Sequence, residues 1–204
     1  MTYTEQSFDL PVLQDISPKQ TDVHLKLYQG YVKFFNHLRE IETELMKDAE
    51  KNAYALSEVH RRLSFEFDGM RMHELYFAQW EKGPETLTAG GSLEQTLMKQ
   101  FGSITAWENI FKSVGLMRGI GWTVLYYDDK VGEFLNVWVG DHEVGQLAGV
   151  PIILAMDMWE HAYMVDYTPA EKKNYIEAFF KNLNWSVPQT RFGALSQIDP
   201  SIRL

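Results

Sequence analysis

Cysteine is absent from this chain of 204 residues. That excludes disulfides, thiolate zinc sites and iron–sulfur clusters, and leaves nitrogen and oxygen as the donors open to a metal. No stretch approaches the roughly 18 consecutive apolar residues of a membrane span. Positive charge is scarce: 19 Lys and Arg against 28 Asp and Glu give a formal net charge of -9. Nucleic acid is therefore disfavoured as a partner. A small anionic substrate would have to be drawn in by local positive charge, against the global field. Residues Met1 to Ser7 lack a basic region followed by an apolar core. No signal peptide is expected, and the cytoplasm is the expected location.

What is present is apolar bulk, with 45% hydrophobic and 14% aromatic residues. That suffices for a packed core in one sizeable domain, or in two small lobes sharing an interface. Ser17-Pro18 combines an N-cap with proline at the first helical position. It predicts a long helix from about Pro18 to about Lys47, with an apolar stripe at Leu27/Tyr28, Tyr31, Phe34/Phe35, Leu38, Ile41 and Leu45. A second helical segment is predicted from about Ser57 to about Trp80. His24 lies on the first stripe, and His73 shares a face with Tyr76, Phe77 and Trp80. Alone, His24 reads as a core or boundary histidine, and Tyr76, Phe77 and Trp80 as core; an antiparallel hairpin can bring the two imidazoles together.

Gly83-Pro84 through Gly90-Gly91 is the clearest linker, dividing lobes of residues 1–85 and 92–204. Ser92 to Gln95 reads as a capping box opening a helix to about Phe101, and Ser103 caps the next, to about Met117. Strands are predicted at Trp122 to Tyr127, about Glu133 to Val139, and Val150 to Met156. Thr168-Pro169 opens a helix to about Asn182, and the tail reads as a short helix and coil. A helical hairpin followed by a small three-stranded antiparallel sheet covered by helices is an α+β fold.

The most informative stretch is Asp157-Met158-Trp159-Glu160-His161-Ala162-Tyr163. It follows a short branched apolar run, so Asp157 sits where a buried strand leaves the core. One helical turn would return His161 to the same side. A carboxylate and an imidazole converging there make half of a metal site; the alternative is a buried hydrogen-bonded Asp–His pair.

This segment resembles the C-terminal metal signature of the iron/manganese superoxide dismutases. The likeness runs from about Leu10 to about Phe192. Asp22-Val23-His24 is similar to the family's first-ligand helix, and Gly69 with Met72 to Phe77 to its second. Phe101-Gly102-Ser103 and Gly121 to Tyr127 resemble the core of the C-terminal lobe, and Asn184-Trp185 the segment closing it. The resemblance implies one iron or manganese ion per subunit, held between the lobes by His24, His73, Asp157 and His161. It implies disproportionation of superoxide to dioxygen and hydrogen peroxide. By donor type alone, three imidazoles and a carboxylate suit iron, manganese or zinc, and exclude neither redox nor hydrolytic chemistry. A weak or inactive relative with a structural role, and a non-haem metal oxygenase or hydrolase, are the alternative readings. The resemblance also implies a homodimer, with a tetramer possible. In it Glu160 would bond the far nitrogen of a neighbouring subunit's His161; otherwise it is a solvated glutamate.

The chain departs from the family pattern in several places. Many members place a glutamine beside the metal-bound solvent. Here one such position holds Gly69, which cannot donate, and the other holds His142, similar to a histidine-type subgroup. The alternative for His142 is a loop histidine near the surface; Gln146 is nearby but out of register. Tyr28 stands where the family has a second helix histidine. A shortening by one residue makes Tyr31 the gateway tyrosine, with Tyr28 its rival. Tyr31 and His142 then form the proton-relaying pair. Met164 replaces a tyrosine. The family's funnel arginine has no clean match, Lys172 and Lys173 being the nearest cations. Trp122, Trp159, Tyr76 and Phe77 would wall the site.

Overall fold

The computed structural model describes residues 1–195. Helix α1 (Pro18–Leu45) starts as expected: the Ser17 side chain accepts the Gln20 N–H at 3.0 Å, and Pro18 occupies the first turn. After a 3-10 turn at Met46–Asp48 the chain reverses into α2 (Ala53–Ala78). That helix begins four residues earlier than Ser57, because Asn52 makes no side-chain cap that would mark its start. The buried face of α1 is Gln20, His24, Tyr28, Val32 and Phe35. Leu27 and Phe34 are 37% and 54% exposed, so the apolar stripe is rotated from its predicted position. His24 is on the inward face as expected, and Gln20 continues that face where a count of apolar side chains passes over it.

Helices α3 (Ser92–Phe101) and α4 (Ile104–Gly115) follow the linker. Ser92 is not the cap of α3; Gly91 is, and the Glu94 carboxylate reaches back to the Gly90 N–H at 2.6 Å. Ser103 does cap α4, accepting from Ala106 at 3.0 Å. Strands β1 (Gly121–Asp128), β2 (Glu133–Gly140) and β3 (Ile152–Asp157) form an antiparallel sheet in the order β2-β1-β3. Trp122 pairs with Val139 on one side and Asp157 on the other, which sets Asp157 at the end of the edge strand. A Thr168–Glu171 capping box leads through a 3-10 turn into α5 (Lys172–Lys181), and α6 (Ser186–Leu195) closes the described chain. The coil predicted for the tail falls in residues 196–204, outside those described.

The architecture is the expected α+β. One hydrophobic core is continuous from the hairpin to the sheet, joining Tyr28, Phe77 and Trp80 to Trp122, Leu154 and Phe179. The hairpin is therefore packed against the sheet, and the end of β3 meets α1 and α2 in the interior. Among the described residues, no helix is long and apolar enough to cross a membrane.

Candidate metal centre

His24 projects from the buried face of α1, one turn after Gln20 and one before Tyr28. His73 projects from α2, one turn after Gly69, whose carbonyl oxygen lies 2.6 Å from His73 Nδ1. A carbonyl only accepts, so Nδ1 carries the proton and Nε2 turns its lone pair inward. Asp157 ends β3; its Oδ1 accepts the Trp159 N–H at 2.8 Å, which pins the carboxylate. Its Oδ2 lies 3.0 Å from His24 Nε2, 3.5 Å from His73 Nε2 and 3.1 Å from His161 Nε2.

His161 arrives by a route other than the single α-turn expected. The chain leaves β3 through an extended Trp159 and enters a 3-10 turn, Glu160–Ala162. Gln20 braces that turn: its amide donates to the His161 carbonyl at 2.6 Å and accepts from the Val165 N–H at 2.9 Å. A buried glutamine one turn before a histidine on a helix's inward face was the available signal for this role.

The four donor atoms all lie within 4.8 Å of one another. Donors about 2.1 Å from a common cation and 90–120° apart are about 3.0–3.6 Å from each other. The three carboxylate–imidazole separations and the 3.4 Å between His73 and His161 Nε2 fall in that range. Burial lowers the pKa of His24 and His73, favouring the neutral ligand form. For Asp157 burial acts upward, but charge and hydrogen bonds from His161 and His24 outweigh it and hold the carboxyl below its usual range. The centre thus offers an ionised oxygen beside an inward nitrogen lone pair on His73. Two acceptors so close call for a cation between them, and a hard or borderline divalent ion fits the donor set.

Residues 89–191 match the sequence model described as iron/manganese superoxide dismutases, C-terminal domain. The chain is 32% identical to an iron superoxide dismutase of Sulfolobus acidocaldarius, covering 86% of this chain and 85% of the relative. It is 33% identical to an iron superoxide dismutase of Aquifex pyrophilus, covering 88% and 85%. To manganese superoxide dismutase 2 of Haloferax volcanii it is 31% identical, covering 94% and 92%. The chain belongs to the iron/manganese superoxide dismutase family. Relatives named for either metal match about equally well, in keeping with a donor set that suits both.

Against this family the departures can be placed. His142 is fully buried, not a surface loop residue. Trp122 Nε1–H points at its Nδ1 at 3.0 Å. Indole only donates, so Nδ1 accepts and the His142 proton sits on Nε2. That nitrogen lies 2.8 Å from the Tyr31 oxygen and donates to it, leaving the Tyr31 hydrogen free to point elsewhere. Gln146 supports the loop, donating to the His142 carbonyl at 2.9 Å and accepting from Tyr126 at 2.5 Å. Tyr28 is engaged elsewhere: its hydroxyl accepts from Gln6 at 2.8 Å and donates to Glu74 at 3.2 Å. Gly69 has a steric reason: a Cβ there would lie 2.6 Å from the Tyr31 ring.

The expected wall is formed by Phe77 and Tyr76 against His24, Trp122 against His73, and Trp159 stacked on His161 at 5.5 Å. Lys172 donates to the Met117 carbonyl at 2.9 Å and packs over Trp138. Lys173 is exposed on α5. Among the described residues, Lys26 and Arg62 line a cleft of about 400 Å³ that also reaches Tyr31, Phe65 and Trp159. Neither was evident in the sequence, where nothing linked position 62 to the site.

Burial pushes the His142 imidazole down to about 4, from an ordinary value near 6.5. The unfolded chain then binds a proton more readily than the folded one. Stability is full above about pH 6.5 and falls as pH drops through about 4, by roughly 3 kcal/mol in the limit. Urea titrations across that range should show the loss in the parent and a smaller one in His142→Gln. Equal slopes would exclude His142 as the source.

Proposed function

We propose that this protein is a superoxide dismutase that holds one iron or manganese ion per subunit through His24, His73, Asp157 and His161. The convergence of those four donors at the junction of hairpin and sheet carries the reading. When bound, such an ion supplies one-electron redox chemistry, oxidising one superoxide to dioxygen and reducing the next, with two protons, to hydrogen peroxide. The chain's own groups do the rest. Gly69 and Trp159 backbone atoms orient His73 and Asp157, as expected of groups that tune a metal's ligands. The aromatic wall excludes water and larger reductants.

Tyr31 and His142 form the proton-handling pair in this proposal. Burial, with the negative charges of Asp157 and Glu66, raises the Tyr31 pKa, so the hydroxyl keeps its proton at working pH. With His142 donating to its oxygen, the Tyr31 O–H can be offered to an anion in the cleft. Arg62 supplies the local positive charge. Its guanidinium lies 3.6 Å over the Phe65 ring and donates to Glu66 at 3.0 Å. We expect Arg62→Gln to lower kcat/KM several-fold and to flatten its decline with ionic strength. An unchanged salt dependence would remove Arg62 from the approach path.

We also propose a homodimer, with residues 1–85 and 92–204 as the two lobes of each subunit. Glu160 is exposed, and no hydrogen bond is made by its carboxylate or by His161 Nδ1 among the described residues. A second copy could join these two groups across a two-fold axis. The function is tested by superoxide consumption of protein stripped with chelator and reloaded. Activity returning with iron or manganese, and not with zinc, is expected. Background consumption with every ion would overturn the reading.

A further inference from the structure

Among the described residues, the strand that carries Asp157 has no strand on its outer side. Its edge is nonetheless closed, by side chains. Arg191 donates to the Ile153 carbonyl at 3.2 Å. Gln79 bonds Ala155 in both directions, accepting from its N–H at 2.9 Å and donating to its carbonyl at 2.7 Å. Tyr175 donates to the Asp157 carbonyl at 2.7 Å. Alternate residues of β3 are thus tied to α6, to the residue that caps the C-terminus of α2, and to α5 in turn.

Two of these side chains are joined to each other. Arg191 donates to Gln79 Oε1 at 3.0 Å and, through its other nitrogen, to the Leu75 carbonyl at 2.9 Å. Leu75 lies two residues after His73 on α2, and Ala155 two residues before Asp157 on β3. Arg191 and Gln79 therefore link the elements that carry two of the four donors.

The opposite edge of the sheet provides an internal comparison. There Gln100 makes the same two-way bond to Phe134 of β2, at 2.8 and 2.7 Å. Strand β2 carries no donor, and its glutamine has no arginine behind it among the described hydrogen bonds. At β3 a guanidinium is added whose described partners are all neutral oxygens. Burial lowers its pKa to about 10, so it stays charged. Holding a mostly buried cation with no counter-ion among the described residues is unfavourable, and closing an edge does not require it.

We infer that Gln79 and Arg191 are positioning residues that set the Asp157 carboxylate against the His73 imidazole, and so govern how tightly the centre holds its metal. The inference rests on the metal-centre reading proposed above. The test uses the full chain, stripped of metal, with Mn(II) affinity measured by competition against a chromophoric chelator and thermal midpoints recorded alongside. Gln79→Leu and Gln100→Leu should both lower the metal-free midpoint. Only Gln79→Leu and Arg191→Met should weaken Mn(II) binding, by about 10–100-fold, and Arg191→Lys should recover part of the loss. Should a leucine variant fail to fold, the near-isosteric Gln79→Glu and Gln100→Glu make the same comparison. Equal effects of the two glutamines on Mn(II) affinity, or no effect of either, would overturn the inference while the parent still binds. A parent that binds no metal overturns the metal-centre reading, and this inference with it.

Discussion

Asp157→Ala is expected to abolish metal retention and superoxide consumption together. The carboxylate is the only anionic group of the four, and its Oδ2 is the atom that all three imidazole Nε2 atoms approach. Removing it leaves the donors with no charge to offset a cation in a buried site. Truncating one member of a buried charged pair costs about 3–5 kcal/mol, two to nearly four orders of magnitude in affinity. It also unties the turn that delivers His161, because Asp157 Oδ1 holds the Trp159 N–H. Metal content after dialysis and superoxide consumption should both fall to background, with far-UV circular dichroism near that of the parent. Full activity in this variant, or in His73→Ala, would refute the ligand set.

The second large effect concerns stability. No disulfide can staple this chain, since it has no cysteine. The ion would join α1, α2 and the turn after β3 at one point. A ligand that binds only the native state stabilises it by about 4 kcal/mol when present at a thousand times its Kd. For a chain of this size each kcal/mol shifts the midpoint by about 2–4 °C. Chelation should therefore lower Tm by about 8–16 °C. Secondary structure should survive at room temperature, because Trp80, Trp107, Phe111 and Phe179 are buried in a continuous apolar core and none of them is one of the four donors. Calorimetry with and without chelator decides it; coincident transitions would mean that nothing bound there contributes to folding.

The fold was legible where local chemistry marks it. Ser17-Pro18 and Ser103 cap their helices as read. The run before Asp157 is a buried strand, and the sheet has three antiparallel members. In α1 the stripe was placed slightly off, with Leu27 and Phe34 on the exposed side and Val32 buried, and the inward Gln20 was passed over because it is polar and faces in only to meet the turn at His161. The start of α2 lacks a capping side chain, and Ser92 carries the pattern of a cap while Gly91 does the work. At the centre, the convergence of His24, His73, Asp157 and His161 was readable through the family signature, and Tyr31 meets His142 across 111 positions. What no pattern disclosed are the contacts fixed by tertiary packing alone. Trp122 sets the His142 tautomer, Arg62 shares a cleft with Tyr31, and Gln79 with Arg191 closes the edge of β3. Such pairings lie far apart in the chain and involve residue types common on any surface or in any core.

The most direct measurement is anomalous X-ray scattering at the iron and manganese edges, from crystals of protein purified without chelator. One peak per chain, enclosed by His24 Nε2, His73 Nε2, Asp157 Oδ2 and His161 Nε2, is the predicted result. A peak elsewhere, or none with Asp157 simply hydrogen-bonded to its neighbouring histidines, would contradict it.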